Sequence, residues 1–309
     1  MDGAVLGDRG TAPWRVMVVD DEDMVRLTLS DLLELSGYRV CGQARDGYEA
    51  ARLARTANPD IILMDIVMPD MDGIEALHII NAARPTCALV LSAHGSQSLA
   101  EQAQAAGAQG YLMKPCRQAE LVPAVEAAIE RFACSRVAIE TRRVEALFER
   151  AWSHVAAGGS LDAAAERALV DSCQLAGYGA HALVARRGAR LWIRAARGMG
   201  NALPGGDLGP ARGPLGDALS QRSPCQVRLE AAPAHLASVL CASVPAVRGF
   251  RGCLCLFAPD GHRFGAREEQ LAAAAARALA RLLRRAQEEC PRAWQAWQQW
   301  RPCAMRGQR

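Results

Sequence analysis

The sequence predicts two domains of different class: an α/β unit built on a parallel, doubly wound sheet, then an α+β unit in which helices flank an antiparallel sheet. Three observations predict this. The chain has 309 residues, too long for one ordinary domain of about 100 to 150 residues. In the first part, short apolar runs alternate with helical patterns and end in polar residues, as strands buried on both faces of a parallel sheet do. In the second part, a helix precedes separated strand candidates and a long amphipathic helix follows them.

The first strands are Val16-Met17-Val18-Val19 followed by Asp20-Asp21, Ile61-Ile62-Leu63-Met64 followed by Asp65, and Ala88-Leu89-Val90-Leu91 followed by Ser92. The carboxyl ends of such strands share one edge, where the ligand crevice of an open α/β sheet lies. The run Gly110-Tyr111-Leu112-Met113-Lys114-Pro115 adds a cation, and Lys114 is the one lysine among 36 basic side chains. A compact ammonium retained where every other cation is arginine points to a need for a point charge. Asp20, Asp21, Asp65, Ser92 and Lys114 are thus expected to converge. Clustered carboxylates repel and raise one another's pKa unless a cation joins them. An oxygen-only set without His or Cys implies a hard ion, and Mg2+ suits a phosphoryl-transfer site. The Asp65 carboxylate then serves as nucleophile, Lys114 neutralises charge and the Ser92 hydroxyl donates a hydrogen bond.

Four ordered segments, Val18-Val19-Asp20-Asp21, Leu63 through Gly73, Leu91-Ser92-Ala93-His94 and Tyr111 through Pro115, make residues 14–133 resemble the receiver domain of two-component response regulators. The resemblance implies a flavodoxin-like, five-stranded doubly wound fold. It also implies a phosphoacceptor at Asp65, and Mg2+ held by Asp20, Asp21, Asp65 and the Val67 carbonyl. Lys114 would contact the phosphoryl oxygens, Ser92 would be the switch hydroxyl and Tyr111 the switch aromatic. The resemblance implies a cis bond before Pro115 as well. The residues also carry plainer readings: Asp20 as a helix N-cap, and Asp70-Met71-Asp72-Gly73 as turn chemistry. Val67 and His94 depart from the family's usual polar choices beside the hydrolytic water, and Cys116 replaces its usual aromatic.

Half of the chain is hydrophobic, yet no 18-residue apolar run is free of charge and the first 13 residues show no signal-peptide core, so a cytoplasmic protein without a membrane span is expected. The 11 cysteines lack paired metal-ligand spacing and read as reduced, partly buried thiols. Residues 1–133 hold 11 basic and 19 acidic side chains, net −8, and the remainder 25 and 14, net +11. Electrostatic docking of the two halves is the economical expectation, the other reading being a basic half that faces a nucleic acid or an anionic surface.

Beyond an N-terminal extension (1–13) and the receiver (14–133), the pattern predicts a connector helix (134–150). A domain over 151–287 follows, with a helix at 161–175, strands at 181–186, 190–195, 238–244 and 252–257, a Gly/Pro-rich loop at 198–214 and a last helix at 266–289. Leu161-Asp162-Ala163-Ala164, Gly213 through Leu219, Ser238 through Pro245 and Gly252 through Phe257 make this domain resemble a GAF domain. Such domains are small-molecule sensors or dimerisation units; the ligand is unspecified. Cys225 reads as a loop cysteine. Leu271, Ala275, Ala278, Leu279, Leu282 and Leu283 form a stripe that serves either a homodimer seam with the connector helix or the cover of its own sheet.

The segment 288–309 is a basic tail with Trp294, Trp297 and Trp300 at spacing three, read either as a docking segment or as a loosely ordered end. No helix-turn-helix or other nucleic-acid module is recognisable. The sequence therefore predicts a response regulator, not an enzyme with a separate output, that accepts phosphate from a histidine kinase or phosphotransfer protein and signals by protein contacts. The alternative is a small-molecule or redox sensor or scaffold with a vestigial receiver.

Overall fold

A computed structural model describes residues 13–93, 96–199, 206–211, 213–230 and 232–299. The chain divides into two compact units, residues 1–136 and 137–309.

In the first unit β1 (Arg15–Val19), β2 (Arg39–Ala44), β3 (Ile61–Asp65), β4 (Cys87–Ser92) and β5 (Gly110–Met113) alternate with α1 (Asp23–Leu35), α2 (Gly47–Ala57), α3 (Gly73–Ala83) and α4 (Gln97–Ala105). All strands are parallel, in the order β2-β1-β3-β4-β5. Val16 to Val19 and Ile61 to Met64 have no exposed surface, because helices cover both faces and alternation with polar residues has no place in a central strand. On one face Met17, Val19, Ile62, Met64 and Val90 pack with Leu77 and Ile80 of α3 and alanines of α2 and α4. On the other, Val16, Val18, Leu63 and Leu89 pack with Leu29 and Leu33 of α1 and with Leu121 and Val125. The latter two belong to α5 (Gln118–Ala156), a continuous 39-residue helix within which the unit boundary falls. The separate connector helix expected at 134–150 is the second part of α5, since Phe132-Ala133-Cys134-Ser135-Arg136 contains no breaker.

The second unit continues with α6 (Leu161–Leu175), β6 (His181–Arg187), β7 (Arg190–Arg197), β8 (Asp207–Pro210), α7 (Pro214–Ala218), β9 (Cys225–Arg228), a 3-10 turn (Ala234–Leu236), β10 (Ser238–Ser243), β11 (Gly252–Ala258), α8 (Ala266–Glu289) and α9 (Pro291–Gln298). Its antiparallel sheet has six strands in the order β8-β7-β6-β11-β10-β9, two more than the four expected. Ser160 caps α6 by accepting from Ala163 N. Leu240, Ala242, Leu254 and Leu256 face a core with α6, α8 and the part of α5 from Val144 to Val155. Val239, Cys241, Cys253, Cys255 and Phe257 face the opposite layer with Leu191, Leu215 and Leu236.

The stripe Leu271, Ala275, Ala278, Leu279, Leu282 and Leu283 is at most 2% exposed and packs into its own unit, so that face covers its sheet and is not available as a homodimer seam. Part of the expected basic tail is likewise the helix α9, with Trp294 and Trp297 buried in the same core. The Arg194 guanidinium stacks 3.4 Å over the Trp297 ring, pairs with Asp162 at 2.7 Å and donates to the Trp297 carbonyl at 2.8 Å. Trp300 lies outside the described residues. Among the described residues, no helix is long and apolar enough to cross a membrane.

Candidate functional site

The site is built where β1, β3, β4 and β5 end. β1 stops at Val19 and delivers Asp20, which is fully buried, and Asp21, which is exposed. Asp20 is not the N-cap of α1. Its Oδ1 accepts from Glu22 N at 3.1 Å, its backbone N donates to the Ala44 carbonyl at 3.1 Å, and its own carbonyl accepts from Arg26 Nη1 at 2.6 Å. These bonds fix its backbone and leave Oδ2 facing the crevice. The role of Arg26 escapes sequence reading, because a cation six residues downstream on a helix has no motif of its own.

Asp65 is the last residue of β3 and is 5% exposed. The chain turns over it with Asp70 in the left-handed region (φ 65°), a conformation that Asp tolerates. Gly73 N donates to the Ile66 carbonyl at 2.9 Å, and Asp72 caps α3 by accepting from Glu75 N at 2.8 Å. A Cβ on Gly73 would lie 1.9 Å from the Asp65 carbonyl oxygen, so only glycine lets α3 start this close to the aspartate. The segment read as turn chemistry thus shapes the backbone around Asp65.

Ser92 ends β4 fully buried, and its carbonyl accepts from Lys114 N at 2.9 Å. Lys114 follows β5, and the Lys114–Pro115 bond is cis. Its Nζ lies 2.5 Å from Asp20 Oδ2 and 2.6 Å from Asp65 Oδ2. The second contact is a directed hydrogen bond donated to Asp65. The first is an ion pair without hydrogen-bond alignment, and Asp20 Oδ2 is buried with no hydrogen bond to it. Burial pushes the Asp65 carboxyl above its usual range; Lys114 pulls it down and the Asp20 charge pushes it up. For Lys114 burial opposes the charge, yet the flanking carboxylates outweigh it and raise its pKa.

Asp20, Asp65 and Lys114 are therefore in direct contact, and one carboxylate oxygen from each of Asp20, Asp21 and Asp65 lies within 4.8 Å of the others. Three carboxylates against one ammonium leave negative charge in excess. The oxygen-only donor set and its excess of negative charge fit a hard divalent cation. Ser92 joins the site at the end of the adjacent strand. Tyr111 on β5 is half-buried against the core face formed by α2, α3 and α4. The Val67 side chain is 62% exposed and adds nothing to the core. His94 lies outside the described residues. Cys116 donates to the Met113 carbonyl at 3.3 Å.

Residues 16–126 match the response regulator receiver domain family. The transcriptional regulatory protein PdtaR of Mycobacterium tuberculosis is 39% identical over 132 residues, covering 43% of this chain and 64% of PdtaR, so the chain spans less than two thirds of that relative. The chemotaxis protein CheY of Thermotoga maritima is 38% identical over 112 residues, covering 36% of this chain and 93% of CheY. A crystal structure of a CheX–CheY–BeF3–Mg2+ complex from Borrelia burgdorferi is 30% identical, with 37% of this chain and 88% of that chain covered and a TM-score of 0.36.

Proposed function

We propose, from the premise that this chain belongs to the response regulator receiver family through residues 16–126, that it is a phosphorylation-controlled signalling protein with Asp65 as phosphoacceptor. The donor is a histidine kinase or a phosphotransfer protein. The observation that carries this reading is the Lys114 ammonium held between Asp20 and Asp65 at 2.5 and 2.6 Å, with Asp21 beside them.

In the proposed reaction an Asp65 carboxylate oxygen attacks the phosphorus, the bond from phosphorus to the donor breaks, and an acyl phosphate remains on the protein. Asp20, Asp21, Asp65 and the Val67 carbonyl would hold Mg2+. When bound, Mg2+ supplies charge neutralisation at the phosphoryl oxygens. Lys114 supplies the second positive charge, exchanging part of its contact with Asp65 for the transferred group. The Ser92 hydroxyl turns inward to donate to a phosphoryl oxygen, and Tyr111 follows it, which biases the surface beside β4 and β5.

The second unit is proposed to be a GAF-like module that receives or modulates this signal through protein contacts. Its support is the six-stranded antiparallel sheet covered by α6 and α8, together with the segments quoted for the resemblance. Intact-mass spectrometry after incubation with acetyl phosphate and Mg2+ tests the reading. One phosphoryl group per chain is expected, absent when Mg2+ is chelated and absent in Asp65→Asn. An unmodified wild type with Mg2+ present overturns it.

A further inference from the structure

Four cysteines share one face of the second unit's sheet. Cys225 on β9 stands opposite Cys241 on β10, and Cys241 stands opposite Cys255 on β11. Cys253, two residues before Cys255, points to the same side. The Sγ atoms of Cys241 and Cys255 are 3.8 Å apart and those of Cys255 and Cys253 are 3.6 Å apart. Cys241, Cys253 and Cys255 are fully buried, whereas Cys225 is partly exposed on the edge strand. The expectation of a loop cysteine at 225 is thereby corrected.

The ladder decides which pairs can bond. Leu229 N donates to the Ala237 carbonyl at 2.8 Å, which places Cys225–Cys241 among the hydrogen-bonded pairs, with Cα atoms about 5.5 Å apart. Val244 N donates to the Gly252 carbonyl at 2.9 Å, which places Cys241–Cys255 among the non-hydrogen-bonded pairs, about 4.5 Å apart. Both separations fall within the range of about 4.4 to 6.8 Å that a disulfide requires. Cys253 and Cys255, two apart on one strand, sit at its outer limit of about 6.8 Å. The thiols form a row and do not gather round one point. Among the described residues, the group of three or more ligand atoms within 4.8 Å of one another is the receiver's carboxylate set.

We propose that Cys225 and Cys241 form an oxidisable dithiol, with Cys255 as an internal exchange partner, giving the second unit a covalent input separate from phosphorylation of Asp65. The oxidant is a peroxide. Cys225 gives up its thiol proton, the thiolate attacks one peroxide oxygen, the O–O bond breaks, and a sulfenic acid and hydroxide form, the hydroxide taking up that proton as water. Cys241 sulfur then attacks the Cys225 sulfur and expels a second water, so two thiols lose two electrons and two protons to one hydrogen peroxide. Attack by Cys255 on the Cys241 sulfur moves the bond inward and returns Cys225 to the thiol. Hydrogen bonding with Cys241 and then burial push the Cys225 thiol upward, so the reaction is slow. Because α7 packs against both β9 and β10, the bond would fasten the edge strand and its cover to the sheet.

Arg228, Arg248 and Arg251 separate Cys225, Cys241 and Cys255 into three tryptic peptides; Cys253 shares the third with Cys255, and fragmentation at Leu254 assigns the link to one or the other. The test exposes the full chain to hydrogen peroxide for hours, blocks remaining thiols with N-ethylmaleimide and maps the unreduced digest by mass spectrometry, with exposed Cys134 reporting that oxidant was delivered. Expected are Cys225–Cys241 and Cys241–Cys255 linked peptides, each lighter by two hydrogens than the reduced pair. Both disappear in the mild edge-strand variant Cys225→Ser and in Cys241→Ala, while Cys255→Ala keeps the first link. Oxidised Cys134 with all three strand cysteines alkylated overturns the proposal. So does a Cys241–Cys255 link that persists in Cys225→Ser, or protection of the thiols by stoichiometric zinc.

Discussion

At the scale of single residues, Asp65 is kept where its charge is costly. Its pKa is raised chiefly by burial, so its carboxylate is easier to protonate in the folded than in the unfolded chain. The stability contributed by that group is present below the ordinary carboxylate range and is lost as pH rises through the raised value. Without Mg2+, Asp65→Asn is therefore expected to melt higher than wild type at pH 7, with the difference shrinking towards pH 4. Thermal melts in chelator check this, and a variant less stable at pH 7 contradicts it. Lys114 has the opposite role, because its raised pKa means that its stabilising charge is complete at neutral pH and is lost as pH rises through the raised value. Gly73 carries a steric demand. A methyl carbon there would stand 1.9 Å from the Asp65 carbonyl oxygen, so Gly73→Ala must displace either β3's end or the start of α3. A cost on the order of 2 kcal/mol in urea unfolding is expected, together with slower phosphorylation.

At the scale of elements, legibility follows burial pattern. Val16 to Val19 and Ile61 to Met64 are uninterrupted apolar runs, and fully buried strands leave no other signature. The bounds of α6 and α8 are marked by Ser160 and by the Gly265-to-Glu268 start. β8 and β9 escape sequence reading because each is short, with four residues and exposed positions among them, and β8 contains both Gly209 and Pro210. Cys225 reads as a loop residue for the same reason. The carboxylate cluster is legible because each acid follows a buried strand; the contacts of Arg26 and Gly73 are not, since they depend on three-dimensional approach. α9 shows a different limit. Trp294 and Trp297 three apart mark a helical face, but whether it meets its own core or a partner is decided by Arg194, about a hundred residues earlier in the chain. Trp297→Ala removes a buried indole and the platform under a buried guanidinium. Chemical denaturation is expected to show a loss of about 3 to 5 kcal/mol, confined to the second unit; a loss below about 1 kcal/mol contradicts the packing role.

At the scale of the molecule, two sets of cores lie in two compact units, and the proposed ligands belong to one of them. Calorimetry is expected to resolve two transitions, with Mg2+ raising the receiver's alone; at a hundredfold excess over Kd the gain is about 2.7 kcal/mol. A shift of both transitions by Mg2+ contradicts an ion held solely by Asp20, Asp21, Asp65 and Val67. Under the proposed function Asp65, and not its two acidic neighbours, is the nucleophile of the assembled site. Borohydride reduction of the acetyl phosphate-treated protein, followed by peptide sequencing, decides between them, because hydride converts an aspartyl phosphate to homoserine at the acceptor. Homoserine at position 65 is the predicted result; homoserine at position 20 or 21, or none anywhere, would contradict it.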